Sequence, residues 1–139
     1  MYTIRTGASF DSAHFLKDYP GKCSHLHGHR WKVEIETESE DLSDGPAEGG
    51  MVTDFSVLKD DLKSLTDPFD HILIIEKGSL SEGTMAALSA EGFPVAEVSF
   101  RPTAENFAKF FFDGMKKLGH PVSSCTVYET PNNSATYRE

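Results

Sequence analysis

Alternating residues between Arg30 and Glu38 predict a β-strand with one buried face. Its apolar or β-branched positions are Trp31, Val33, Ile35 and Thr37, and charged residues separate them. This period of two is typical of a half-buried strand. The first fifteen residues also contain many β-forming side chains. We therefore expect strands near 2–15 and 29–39 that pair antiparallel and are joined by a histidine-rich loop.

Two amphipathic helices are predicted in the middle and second half of the chain. Asp54 is a candidate N-cap for the first helix, and Pro68 ends it. The second helix follows Pro102 and Thr103 and ends before Gly119. The apolar stripes, with spacings of three and four, are Phe55, Leu58, Leu62 and Leu65 in the first helix and Phe107, Phe111, Met115 and Leu118 in the second.

The remaining segments complete a single domain over residues 1–139. Glycine and proline make 40–50 a connection rich in turns, and 76–100 reads as an insert with a short helix around 80–90. Residues 122–137 predict a strand, a turn at 131–133 and a second strand. The order ββααββ favours the α+β class with an antiparallel sheet over a doubly wound parallel sheet.

Composition and charge narrow the possible functions. The chain has 139 residues and a net charge of −9, which disfavours nucleic acids and anionic membranes as partners. It shows no signal peptide and no apolar run of the roughly 20 residues that a membrane span needs, so we expect a cytoplasmic protein. A small anionic substrate is compatible, because Lys17, Lys22, Arg30 and Lys32 form a basic cluster, although most such clusters are only solvated surface.

The segment CSHLHGH, residues 23–29, carries the strongest chemical signal. His25, His27 and His29 alternate, so an extended backbone would direct their imidazoles to one side, and a hairpin would bring His14 opposite them. Three histidines with an open fourth position are typical of catalytic zinc, whereas structural zinc fills all four positions. The fourth ligand would be Cys23 or a substrate oxygen. The alternative is a polar turn without metal.

For the further candidate residues, a functional role also has to be weighed against an ordinary structural role. Cys23 is either a small buried residue or a thiolate base activated by a nearby cation or metal. Asp70 and His71 form a direct dyad only if the backbone bends between them, and otherwise His71 is a loop residue. Glu129 ends an apolar strand, where a carboxylate is either a surface group or a placed hydrogen-bond acceptor.

Six segments, in this order, resemble the superfamily of 6-pyruvoyl-tetrahydropterin synthase and 6-carboxytetrahydropterin synthase. They are FDSAHF, CSHLHGH, MVTDFSVLK, FDH, RPTAENFAKFFF and VYETPNNSATY. Individually PTAEN or FDH would be weak, but the combination is highly specific. The resemblance spans most of the chain except residues 40–50 and the insert 76–100.

The resemblance implies a T-fold, in which two helices cover one face of a ββααββ sheet and the sheets of several subunits join into a barrel. It implies a homo-oligomer, a hexamer built as a dimer of trimers or a tetramer, with active sites between subunits. By position, His14, His27 and His29 correspond to zinc ligands, which selects against His25. Cys23 corresponds to the proton-abstracting base, Asp70 and His71 to a second proton relay, and Glu129 to the carboxylate that anchors the pterin ring. Thr103 and Thr130 are expected to line the pocket.

The implied activity is a zinc-dependent carbon–carbon and carbon–oxygen lyase reaction on 7,8-dihydroneopterin triphosphate. The spacing Cys-x3-His-Gly-His resembles the 6-carboxytetrahydropterin synthases of queuosine (7-deazaguanine) biosynthesis, which release triphosphate and acetaldehyde, and we favour this product. The segment ETPNN resembles the 6-pyruvoyl enzymes of biopterin synthesis, the first alternative. An alternative of another class is a zinc-stabilised pterin-binding module without turnover, which would have a closed site completed by Cys23 or His25.

Overall fold

The two predicted N-terminal strands form the centre of a six-stranded sheet in the computed structural model, which describes residues 1–139. The elements in chain order are β1 (Tyr2–His14), β2 (His27–Ser39), α1 (Phe55–Thr66), β3 (Ile72–Glu76), α2 (Glu82–Ala90), β4 (Val95–Val98), α3 (Ala104–Lys117), β5 (Val122–Thr130) and β6 (Asn133–Arg138). The strands lie in the order β4-β3-β1-β2-β5-β6, so β4 and β6 are the edges.

One face of the sheet packs against α1 and α3 and forms the core. The alternation in β2 buries Trp31, Val33 and Ile35 completely, as expected from the sequence. Leu58 and Leu62 of α1 meet this face, together with the apolar stripe of α3. The buried residues that α3 contributes are Ala104, Phe107, Ala108, Phe111, Phe112 and Met115. Burying side chains of this size contributes about 1.5–3 kcal/mol each, so this face dominates the stability of the fold.

The helix boundaries agree with the predicted caps. Asp54 accepts a hydrogen bond from Ser56 N and begins α1, which ends at Thr66, just before Pro68. Thr103 accepts from Asn106 N and begins α3. Gly119 follows α3 with φ of +93°, a left-handed conformation that glycine adopts at little cost. None of the three helices is long and apolar enough to span a membrane.

The predicted element order needs one correction, although the α+β class is confirmed. The helix expected around 80–90 is present as α2, so there are three helices, and the strands β3 and β4 flank it. Both strands were missed, and they pair in parallel, β3 with β1 and β4 with β3, so the sheet is mixed instead of antiparallel throughout. Parallel strands read as short apolar runs without alternation, and runs of five and four residues carry little periodic signal.

The register of the β1–β2 hairpin determines where the histidines meet. His14 is the last residue of β1 and lies opposite His27, the first residue of β2. The intervening residues 15–26 form the loop, which contains a 3₁₀ turn over Lys22–Ser24. His27 and His29 therefore belong to the strand, whereas His25 precedes it and is exposed.

Candidate metal centre and active site

Three histidines from the end of the hairpin form one cluster on the helix-covered face. His14, His27 and His29 each present a nitrogen within 4.8 Å of the others. The ring centroid of His14 lies 4.6 Å from that of His27 and 5.1 Å from that of His29. Strand alternation explains the shared face, because His14 follows Phe10 and Ser12 on β1 and His29 precedes Trp31 on β2. This spacing suits a common ion.

Backbone carbonyls orient two of these rings. Nδ1 of His14 lies 2.8 Å from the carbonyl oxygen of Pro102, and Nδ1 of His27 lies 2.5 Å from the carbonyl oxygen of His25. A carbonyl only accepts, so each Nδ1 carries the proton and each Nε2 is left with its lone pair. Metal-binding histidines usually have such partners on the second nitrogen.

Burial favours the neutral form of two of the three imidazoles. Burial lowers the pKa of His14 to about 4, against the opposing effect of the hydrogen bond to Pro102. Burial, and then the neighbouring His27, also lowers the pKa of His29. The Nε2 atoms of His14 and His29 are buried without a hydrogen-bond partner. Neutral imidazoles with unpaired buried nitrogens are the form that binds a metal cation, so these residues fit the ion that the sequence implies.

Cys23 and His25 lie outside this group of potential ligands. Cys23 is in the 3₁₀ turn, half-buried, and its carbonyl accepts a hydrogen bond of 2.7 Å from Leu16 N. His25 contributes its backbone carbonyl to His27, while its side chain is exposed. The cluster thus has three side-chain ligands and no fourth among the histidines, cysteines and carboxylates of the chain. That pattern is the open one found in catalytic sites.

Glu129 is close to the cluster at the end of β5. Its Oε2 atom lies 3.9 Å from Nε2 of His29. Burial is the main cause that raises the pKa of Glu129, and the charge of Glu105 raises it further. Thr103 and Thr130, both half-buried, use their hydroxyl groups locally, Thr103 in the cap of α3 and Thr130 in accepting from Asn132 N and Asn133 N of the β5–β6 turn.

Asp70 and His71 lie on the other side of the sheet. Asp70 Oδ2 and His71 Nδ1 are 2.9 Å apart, so the required backbone bend is present, with φ of +57° at His71. This left-handed conformation costs a non-glycine residue about 1–2 kcal/mol. A hydrogen bond of 2.7 Å from His71 N to Asp11 O holds it. Asp11 and Arg30 alternate with the buried positions of β1 and β2, so this dyad is next to side chains that point away from the helices.

The surroundings of the dyad favour a charged carboxylate. The hydrogen bond from Asp11 N, at 2.9 Å, is the main cause that lowers the pKa of Asp70, and the bond to His71 adds to it. Arg30 binds Asp11 through two hydrogen bonds of 3.0 Å. A cleft of about 550 Å³ opens here, and its lining includes His29 of the cluster as well as Asp11, Arg30 and His71. Both side chains of the dyad are exposed to solvent and available to a ligand.

Sequence reasoning missed some contributors to the site. The carbonyl of Pro102 orients His14 although it lies 88 residues away along the chain. Every residue has a backbone carbonyl, so the sequence does not show which carbonyl binds His14, and only the tertiary contact identifies it. Glu105, in the first turn of α3, acts electrostatically on Glu129. Its place in the first turn of the predicted second helix was readable from the sequence, but its proximity to β5 was not.

Comparison with known proteins identifies the family of this chain. A model of the family described as 6-pyruvoyl tetrahydropterin synthase matches residues 3–139. The chain belongs to this family. A relative from Haemophilus influenzae named 6-carboxy-5,6,7,8-tetrahydropterin synthase is 38% identical over 142 residues and covers 100% of both chains. A relative of the same name from Aquifex aeolicus is 35% identical over 138 residues, with 91% of this chain and 83% of the relative covered.

Several solved structures share the fold. An uncharacterized protein from Wolinella succinogenes superposes with a TM-score of 0.79 at 24% identity, covering 99% of this chain and 98% of its own. The 6-pyruvoyl tetrahydropterin synthase of Caenorhabditis elegans gives a TM-score of 0.69 at 24% identity, covering 99% and 95%. The predicted T-fold within the α+β class is confirmed by these likenesses.

Proposed function

We propose that this chain is a zinc-dependent lyase that converts 7,8-dihydroneopterin triphosphate and one water molecule to 6-carboxy-5,6,7,8-tetrahydropterin, with release of triphosphate and acetaldehyde. The observation that carries the proposal is the open three-histidine cluster with Glu129 at 3.9 Å from His29. Relatives at 38% and 35% identity that bear the 6-carboxy name support this product. Such a product belongs to 7-deazaguanine (queuosine) biosynthesis, a cytoplasmic process.

His14, His27 and His29 would hold the zinc ion through their Nε2 atoms. When bound, zinc polarises the side-chain oxygens of the substrate and makes the adjacent carbon–hydrogen bond more acidic. Cys23 lies near the cluster in sequence but outside its group of ligands, so its thiolate remains available as the base that removes the proton. Glu129 would accept hydrogen bonds from the guanidine-like edge of the pterin and fix the ring, and Thr103 and Thr130 would border the same pocket.

The second proton relay requires another copy of the chain. Asp70 and His71 lie beside Asp11 of the open face, whereas the three imidazoles cluster on the helix-covered face, yet the proposed chemistry needs both on one substrate. The edges β4 and β6 expose unpaired backbone groups. Pairing of β4 of one subunit with β6 of the next would extend the sheet into a barrel and form active sites between subunits. We infer a homo-oligomer of this kind, either a tetramer or a hexamer made of two trimers.

Product analysis distinguishes the candidate functions. The protein is incubated with 7,8-dihydroneopterin triphosphate and zinc, and the products are identified by mass spectrometry. We expect the mass of 6-carboxytetrahydropterin together with acetaldehyde. Detection of the 6-pyruvoyl product instead would support the alternative suggested by ETPNN. A pterin that is bound but recovered unchanged would support the binding module with a closed site, which is disfavoured because the ligand group contains only three residues and neither Cys23 nor His25 belongs to it.

A further inference from the structure

Carboxylates pair with only some of the basic residues of this acidic protein. Among the 13 lysine and arginine residues, the ion pairs involve Arg5, Arg30, Lys32, Lys63, Lys109 and Lys116. Two members of the basic cluster seen in the sequence are thus neutralised, Arg30 by Asp11 at 3.0 Å and Lys32 by Glu34 at 3.8 Å. Lys17 and Lys22, the other two members, have no carboxylate partner, and neither has Arg101.

These three unpaired cations meet at the neck of the loop that follows β1. The hydrogen bond of 2.7 Å from Leu16 N to Cys23 O closes the loop and brings the backbones of Lys17 and Lys22 together. The guanidinium of Arg101 donates from Nη2 to the carbonyl oxygen of Lys17 at 2.9 Å. Lys17 and Lys22 are each the chain neighbour of one partner in this hydrogen bond between Leu16 and Cys23, and Arg101 contacts Lys17.

The same neck is tied to the histidine cluster. Arg101 precedes Pro102, whose carbonyl oxygen accepts from His14 Nδ1 at 2.8 Å. Asn106 Nδ2 donates to the carbonyl oxygen of Arg101 at 2.9 Å and holds this segment against α3. Arg101 is half-buried, so its side chain has less freedom than a surface arginine. Asp18 lies in the same loop and is exposed, but it forms no ion pair with these cations.

We propose that Arg101, Lys17 and Lys22 form the subsite for the triphosphate tail of the substrate, and this assignment rests on the function proposed above. A polyphosphate is repelled by a protein of net charge −9 unless its binding site reverses the sign locally. A guanidinium presents several donors in a rigid fork that matches phosphate oxygens, while lysines act as point charges. With the tail at this neck, the rest of the substrate reaches Cys23 and the three histidines.

Kinetics with matched variants tests the subsite. Arg101→Gln and Lys22→Gln remove one charge each, Arg101→Lys retains the charge, and Lys59→Gln removes an exposed unpaired charge from α1 as the control. The measurements are KM for 7,8-dihydroneopterin triphosphate, the inhibition constant of inorganic tripolyphosphate, and the dissociation constant of unphosphorylated dihydroneopterin. Metal content and thermal unfolding are recorded for every variant, and Lys22→Gln carries the test if Arg101→Gln does not fold.

For Arg101→Gln we expect KM and the tripolyphosphate constant to rise about tenfold to a hundredfold, the range for hydrogen bonds to a charged group. Lys22→Gln should show a smaller rise, Arg101→Lys should recover part of the loss, and Lys59→Gln should match the parent. Affinity for unphosphorylated dihydroneopterin should not change. An unchanged tripolyphosphate constant in both Gln variants would refute the subsite, as would an equal loss of affinity for the unphosphorylated pterin.

The outcome separates this inference from the proposed function. If the parent turns over the triphosphate substrate and the charge-removing variants have the parent's KM, the subsite assignment is wrong while the function stands. If the parent produces no tetrahydropterin but Arg101→Gln still loses tripolyphosphate binding, the anion site stands and the proposed reaction is wrong.

Discussion

The two faces of the β1–β2 hairpin carry different chemistry, although both arise from the same 13 residue pairs. On the helix-covered face the rings of His14 and His29 pack against Trp31, and the chain's buried unpaired polar atoms include one from each of these three residues. On the open face, Asp11 and Arg30 pair with each other in solvent. The first face is buried and contains polar atoms without hydrogen-bond partners, whereas the second is exposed and its charged side chains are paired.

This difference shows how alternation in a sheet divides an active site. A period of two directs neighbouring side chains to opposite faces, so the hairpin places the candidate metal ligands on one face and Asp11 and Arg30, which lie beside the proposed proton-relay dyad, on the other. The proposed reaction needs both sets at one substrate, so we expect the open face of one subunit to meet the histidine face of another in an assembled oligomer. The predictions below test this division.

The largest expected effect is the loss of the metal from the helix-covered face. His27→Ala removes a ligand, so zinc content measured by atomic absorption should fall from near one per chain to a small fraction, and turnover should disappear. His25→Ala is the matched control. It should retain the metal because His25 orients His27 through its backbone carbonyl, which the substitution leaves in place. Equal zinc loss in both variants would show that the ligand set is wrong.

Replacement of Cys23 should abolish turnover but leave metal binding intact. For Cys23→Ala we expect turnover to fall by a hundredfold or more, in line with about 10²–10⁴ for a general base, at unchanged zinc content. Cys125→Ala provides the comparison, because Cys125 is buried in the core and burial raises its pKa to about 12. Its variant should keep full turnover per folded chain. Lost zinc with retained activity in Cys23→Ala would reverse the two roles.

Mixed oligomers test the division between faces directly. His27→Ala and His71→Ala should each be inactive or strongly impaired alone, but subunits refolded together in equal amounts should regain activity. Random assembly places an intact histidine face beside an intact dyad in roughly a quarter of sites. A mixture of His27→Ala with Cys23→Ala should not recover, because both lesions affect the same side of the site. Absence of recovery in the first mixture would place the dyad and the metal within one chain.

The smallest of these effects concerns anchoring of the pterin ring. Glu129→Gln retains one acceptor but loses the charge, so pterin binding should weaken by about 1.5–3 kcal/mol, roughly ten- to a hundredfold or more in Kd. Calorimetry with a pterin measures this, and zinc content should match the parent. Glu91→Gln, at the exposed end of α2, is the control and should bind normally. Normal binding by Glu129→Gln would make Glu129 a surface residue without a role in the site.

The sequence alone determined the parts of this protein that rest on local periodicity and local caps. The alternation around Trp31 predicted β2, the candidate cap Asp54 predicted where α1 begins, and the pair Pro102 and Thr103 predicted where α3 begins, because these signals act within a few residues. The motif around Cys23 indicated a metal site and the family. The short strands β3 and β4 escaped prediction, because their burial comes from parallel neighbours and leaves little periodic pattern.

Only the tertiary structure decided which groups meet. From spacing alone, His25 was as good a ligand as His27, and the hairpin register excluded it by starting β2 at His27. The tertiary structure likewise separates the members of the basic cluster. Arg30 forms an ion pair with Asp11, whereas the backbone of Lys17 contacts Arg101, 84 residues away. Such contacts depend on strand pairing and helix packing over long separations along the chain. Local sequence cannot determine them, because the distance between two side chains is set by every element between them.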